Sequence, residues 1–253
     1  MTEQTWQQLL EAGKIDEALL ALRLQEDETE RNVLVSIETL SSIQDALRAK
    51  NWSKALRLTS EQEDTEPINW QELAQELGQL KAAAELLDKR QPEAALEGLG
   101  PLQSPVLRAE QETLRGTAYI YTDQMELARQ AFRNAIALDN KHYRAITNLG
   151  NLELEAGNLD EAIAAYEKAL KLNDSFANAL HNLGVAYRKK GQVSKSVSYL
   201  RKAQTASQRQ MREEARESFR GSSNPQTLKL LRWFGFGILA LILFFFLRSR
   251  GMI

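Results

Sequence analysis

Ile146, Leu149 and Leu152 share one helical face, and Ile163, Tyr166 and Leu170 share another. Spacings of three and four are those of an amphipathic α-helix. Gly157-Asn158 lies between the two stretches and reads as a turn. The segment therefore predicts helix, turn, helix. Asn158 is placed to cap the second helix, and Glu161, three residues on, completes a capping-box-like pair. Asp160-Glu161 reads as favourable negative charge in a first helical turn. The pattern then returns at a fixed distance. Shifts of 34 residues align Gly116, Gly150 and Gly184; Ala128, Ala162 and Ser196; Phe132, Tyr166 and Leu200; Ala135, Ala169 and Ala203. Gly157 aligns with Gly191, whereas Asp123 takes that place in the earlier copy. A period sustained at so many positions predicts an array of stacked units. Gly150 and Ala162 are small enough for two helices of one hairpin to approach closely. Tyr166 and Ala169 offer a large and a small residue to the next hairpin, because one hairpin cannot bury its apolar face alone.

The pattern NLGxxYxxxGxxxxA, with an aromatic residue four places later and Ala three after that, resembles the tetratricopeptide repeat. Three copies match it, at about 109–142, 143–176 and 177–210. Glu153 departs from the aromatic position held by Tyr119 and Tyr187, and Arg115 stands where Leu149 and Leu183 stand. Weaker echoes run N-terminal. The small residue opening each second helix recurs at Ala18, Ala55, Ala94, Ala128, Ala162 and Ser196, at intervals of 37, 39, 34, 34 and 34. Six hairpins are expected, the first three degenerate, with loops at 61–67 and 98–105. The resemblance implies an all-α fold, an α-solenoid of antiparallel hairpins wound as a right-handed superhelix. The expected division is 1–106 for the degenerate hairpins and 107–220 for three repeats with an extended capping helix. A linker at 221–227, a transmembrane helix at 228–247 and a short basic tail at 248–253 follow.

Such arrays line a concave groove with their first helices. The residues expected there are Arg144, Thr147, Asn148 and Asn151, then Asn178, His181, Asn182 and Arg188. Asn148 and Asn182 each precede Leu-Gly, one repeat apart. A primary amide carries a donor and an acceptor and so matches one peptide unit. The pair resembles the asparagine ladder of the O-linked N-acetylglucosamine transferases, although Leu114 breaks the ladder in the preceding copy. Two readings stay open: a peptide-binding groove, and asparagines that satisfy a neighbouring helix end or sit in water.

Composition narrows the chemistry. There is no cysteine, hence no disulfide and no thiolate nucleophile. The two histidines, His142 and His181, have no partner at metal or catalytic spacing, and no Gly-rich phosphate loop occurs. His142 reads as a surface residue at a repeat junction. No catalytic residue, metal or cofactor is expected, and nucleic acid is not an expected partner. The net charge of -2 conceals a division. Residues 1–200 carry 22 Lys/Arg against 31 Asp/Glu, and residues 201–253 carry 10 against 3.

The basic end is also the apolar one. Trp233 to Leu247 is a run of fifteen residues without a charge. With Leu228, Leu230 and Leu231 it makes a span of twenty positions from which Lys229 and Arg232 can snorkel, with Trp233 as an interfacial aromatic and Arg248 and Arg250 beyond. Upstream, Arg209, Arg212, Arg216 and Arg220 fall on a roughly common face, as contacts for anionic lipid or as a solvated helix paired through Glu213, Glu214 and Glu217. Met211, Ala215 and Phe219 are spaced to cover the open end of the array. The first residues lack the basic and apolar regions of a secretory signal. These features predict a single-pass protein, with its repeats facing the cytoplasm, and a bacterial inner membrane is the expected address. The function read from them is an adaptor that binds a protein partner, an extended segment or a helix, and localises or assembles it at the membrane. The alternatives are a structural subunit or assembly factor of a membrane complex, and, by resemblance of layout, an organelle-fission receptor. Oligomeric state is left open.

Overall fold

In a computed structural model, the structure describes residues 4–24, 31–63 and 68–221, the side chains of 214 and 217–221 excepted. The described residues form twelve α-helices: α1 (Trp6–Glu11), α2 (Ile15–Leu24), α3 (Arg31–Arg48), α4 (Trp52–Ser60), α5 (Trp70–Asp88), α6 (Pro92–Gly98), α7 (Arg108–Tyr121), α8 (Met125–Leu138), α9 (Tyr143–Glu155), α10 (Leu159–Leu172), α11 (Ala177–Lys189) and α12 (Val193–Gly221). No strand element occurs among them. The first ten helices pair in sequence as five hairpins, each packed on the next, α10 packs on α11, and α12 returns against α11 through Gly184–Leu200 and Tyr187–Tyr199. By its contacts the chain divides after Ala203 into two units.

Each hairpin turns in the same way. Gly13, Lys50, Arg90, Asp123, Gly157 and Gly191 all have positive φ, between 56° and 85°. A single left-handed residue ends the first helix and redirects the chain, and glycine adopts that conformation without steric cost. Five residues past each turn lies a buried small residue: Ala18, Ala55, Ala95, Ala128, Ala162 and Ser196. The third is Ala95, not Ala94, which is exposed. The echo in this degenerate hairpin is displaced by one residue.

The small positions let the helices of a hairpin touch. A Cβ built on Gly150 would lie 2.9 Å from Tyr166 Cε1, and one on Gly184 would lie 2.9 Å from Leu200 Cγ. At Gly116 the same atom would fall 2.5 Å from Cε1 of Phe132. The aromatic or aliphatic residue of each second helix thus fills the space left by the missing side chain.

The core of the first three hairpins includes Ile15, Ile37, Leu47, Trp70, Leu77 and Leu107, and it continues into Leu114 and Ala118 of α7. Apolar packing therefore crosses the expected boundary at 106/107 without interruption. Leu114 explains the departure at that place, since it is buried while Arg115 donates to the Leu99 carbonyl and to Glu112. Smaller clusters tie the later hairpins together, with Tyr143, Ile146, Ala169 and Ala179 in one, and Ile163, Tyr166, Leu183 and Tyr187 in another. Asn158 does not cap α10; its amide donates to Glu153 instead. Asp160 and Glu161 do lie in the first turn of α10.

Of the linker expected at 221–227, Gly221 is the last residue of α12; residues 222–227, the span and the tail lie outside the described residues, as do residues 64–67 of the loop expected at 61–67. Among the described residues, no helix is long and apolar enough to cross a membrane.

Candidate peptide-binding face

Helices α9 and α11 are the first helices of successive repeats, and residues four apart on each share a face. Asn148 is partly exposed on α9 and has no side-chain hydrogen bond among the described residues. On α11, Asn178, His181 and Arg188 are exposed, and Asn182 is partly exposed. Asn151 and Asn182 connect the two helices. The Asn182 amide Nδ2 donates to Asn151 Oδ1 over 2.7 Å, and the Tyr166 hydroxyl donates to the same oxygen over 2.8 Å. Burial raises the Tyr166 phenol well above its ordinary value, so it remains a donor. The two expected ladder asparagines therefore differ. Asn148 has its whole amide available, while Asn182 spends one N–H on the floor between helices and presents its remaining N–H and its oxygen.

Two expected groove residues are engaged elsewhere. Thr147 is buried, and its hydroxyl donates to the Tyr143 carbonyl one turn back. Its small side chain lets it satisfy its own helix inside the core. Arg144 points across to the N-terminal hairpins: its guanidinium donates to the Leu47 carbonyl at the end of α3 and to both oxygens of Glu110, each at 3.0 Å. The face left open runs from Asn148 to Arg188.

The partner of Arg144 belongs to a buried polar cluster that periodicity did not reveal. Glu110 on α7 is 1% exposed. His142, expected at the surface, is buried beside it with Nε2 3.0 Å from Glu110 Oε2. His142 Nδ1 accepts the Ala145 N–H at 3.3 Å and so caps α9. That bond leaves Nε2–H as the donor to Glu110. Burial on its own would raise the Glu110 carboxyl, but Arg144 and His142 outweigh it and hold the group below its ordinary value. The signal was present as three ionisable residues at repeat junctions, but nothing in the sequence separates a junction that is wet from one covered by a helix about 100 residues earlier.

A second cluster lies next to it. Arg48, near the end of α3, grips Asp139 in the α8–α9 turn with two bonds, Nε to Oδ2 at 2.7 Å and Nη2 to Oδ1 at 2.8 Å. Asp45 and Gln44 accept further bonds from Arg48, and Lys141 reaches Asp16 at 2.8 Å. Burial would lower the Arg48 group, but Asp139 and its neighbours more than compensate and raise it. A cleft of about 470 Å³ opens alongside, lined by Asp16, Leu20, Arg23, Arg48, Asp139 and Lys141.

Of the basic residues expected near lipid, Arg209, Arg212 and Arg216 are exposed on α12, and Arg209 Nε donates to Glu213 at 3.0 Å. The side chain of Arg220 and all of Lys229, Arg232, Arg248 and Arg250 lie outside the described residues. Met211 and Ala215 are exposed on α12. Among the described residues, no group of His, Asp and Glu is arranged to hold a metal ion.

Residues 150–191 match a family model described as TPR repeat, and residues 113–142 and 177–210 match one described as tetratricopeptide repeat. Comparison with curated proteins gives no match. Among solved structures, a crystal structure of MamA is similar, at 28% identity over 67% of this chain and 96% of that one, with a TM-score of 0.45. A second MamA crystal structure gives 26% identity over 69% and 95%, with a TM-score of 0.43. The second TPR of Spaghetti (RPAP3), bound to the HSP90 peptide SRMEEVD, gives 20% identity over 39% and 92%, with a TM-score of 0.38. These matches to tetratricopeptide-repeat models fall on helices α7 to α12, between residues 113 and 210.

Proposed function

We propose that the protein is a membrane-anchored adaptor. Its α9–α11 face binds an extended segment of a partner protein, and the apolar run at 233–247 holds the complex at a membrane. The observation that supports the groove is the partly exposed amide of Asn148, one repeat before that of Asn182, on faces that also carry Asn178, His181 and Arg188. A backbone in extended form offers one N–H and one C=O per peptide unit, and an amide side chain can answer both. The anchor rests on the fifteen uncharged residues from Trp233 and on the concentration of basic residues around them. The work is capture and localisation, with no bond made or broken.

The test uses the full chain in two measurements. A displayed library of extended peptides is selected on the protein, and the selected peptides are assayed against Asn148→Ala. Loss of the amide should weaken them about tenfold, the value of one or two hydrogen bonds. Equal binding to the variant, with helicity intact, would remove the groove from the account. Separately, the protein should stay in the membrane pellet after alkaline carbonate extraction, and deletion of 228–253 should release it. Release of the full chain would remove the anchor and leave the groove standing.

A further inference from the structure

The stacking face that α10 turns to α11 returns on α12 with much less on it. Ile163 is 9% exposed, packed with Leu183, Ala186 and Tyr187 of α11. Val197, its equivalent 34 residues later, is 53% exposed, and Val193, one turn before, is 63% exposed. Leu200, equivalent to the fully buried Tyr166, is only partly covered. This is a face shaped for a helix, since the same positions one repeat earlier receive one. The hairpin that carries it has a single sign of charge. From Ser175 to Arg212 there is no acidic residue, while Lys189, Lys190, Lys195, Arg201 and Lys202 belong to the last hairpin. The preceding hairpin has Glu155, Glu161 and Glu167 at the places of Lys189, Lys195 and Arg201, and its Asp160 already pairs with Lys190. Lys195 and Lys202 lie over the stacked rings of Tyr187 and Tyr199, at 4.8 and 5.2 Å, on the side of α12 turned away from Val193 and Val197.

We infer that the uncovered face of α12 over Val193 and Val197 docks an acidic amphipathic helix of a partner protein, in the register that α11 holds on α10. Charge decides among the possible occupants. A second copy presenting this face would bring like charges together, which is unfavourable at an interface. A helix with carboxylates along its flanks meets the basic surroundings and places its apolar ridge between Val193, Val197 and Leu200. A lipid surface would satisfy the charge, but it has no ridge to enter that interval. The surface is separate from the α9–α11 groove and does not depend on it.

The probe is a synthetic peptide of residues 176–190, the α11 segment, carrying Arg188→Glu, Lys189→Glu and Lys190→Glu and a fluorescent label. It is titrated with the full chain in detergent, and anisotropy is read. Saturable binding is expected, weakened about tenfold by Val197→Glu and left unchanged by Asn148→Ala. Raising salt from about 50 to about 300 mM should weaken it several-fold, as screening requires. The peptide with its native basic residues should bind about tenfold less tightly. Val197 is exposed, so the variant keeps its fold, which circular dichroism checks. Absence of saturable binding, or equal binding to Val197→Glu, overturns the proposal. So does Val197-dependent binding to vesicles of about 30% phosphatidylserine without binding of the peptide, which would assign the face to lipid. An effect of Asn148→Ala would place the peptide in the groove and equally overturn it.

Discussion

Asp123 holds a left-handed conformation, φ 58°, at a position where Gly157 and Gly191 stand in the next two repeats. A residue with a Cβ is strained there by roughly 1 kcal/mol, less for Asp than for most because its short side chain tolerates the conformation. The turn geometry is set by the packed helices on either side, so the strain is carried and not relieved. Asp123→Gly should therefore raise the unfolding free energy by about 0.5–1 kcal/mol, the gain expected when a left-handed residue becomes glycine, set against the extra entropy of the unfolded chain. Chemical denaturation with an unchanged slope measures it. A loss of stability would show that the Asp123 side chain contributes more than its backbone costs. The same comparison explains why Asp123 leaves the hairpin intact: the turn needs a conformation, and glycine is only the easiest way to supply it.

At the scale of elements, α7 and α9 are joined by more than apolar contact. Glu110, His142 and Arg144 form a buried set in which the carboxylate accepts from both neighbours. Because the folded carboxyl lies below its ordinary value of 4.5, its contribution is fully present above that pH. It is lost as pH falls below 4.5 through the lower folded value. Glu110→Gln should cost about 3 kcal/mol at neutral pH, since it leaves the Arg144 cation without its carboxylate. The difference between wild type and variant should shrink as acid protonates the native Glu110. Melting temperatures from pH 7 to pH 3 read this, and curves that stay parallel below pH 4.5 would refute it. The helices themselves were legible because each carries its own period and small residues. Ala162, Tyr166 and Gly150 state their packing locally, within one hairpin. His142 and Arg144 were misread for the opposite reason: their burial depends on α3 and α7, and no local pattern encodes that approach. Ala94 was misread where a degenerate hairpin shifts by one residue, so that Ala95 takes the buried place.

Within the first unit, the consequential long-range link is polar. Arg48 and Asp139 are 91 residues apart, and Arg144 reaches Leu47 over 97. These bonds tie the end of α3 to the turn between α8 and α9, beside an open cleft. The forked geometry of Arg48 on Asp139 is the strong form of such a contact, and both side chains are nearly dry. Removing one partner strands the other. Arg48→Met and Asp139→Asn should each cost about 3 kcal/mol or more. The double variant should lose less than the sum of the two, by about 2 kcal/mol, because no unpaired charge remains. Additive losses would mean that the two residues act on the fold separately. The link also bears on binding. Arg144 is held by the chain's own α3, so the side of α9 nearest the N-terminal hairpins is already occupied, and a bound segment must lie along Asn148, Asn178 and Asn182. In Arg48→Met, the hold on Arg144 through Leu47 loosens while Asn148 and Asn182 are untouched. Peptides selected on the native groove should then keep their affinity within about twofold, a change too small to reflect a lost hydrogen bond. A larger change would show that the N-terminal hairpins form part of the binding surface.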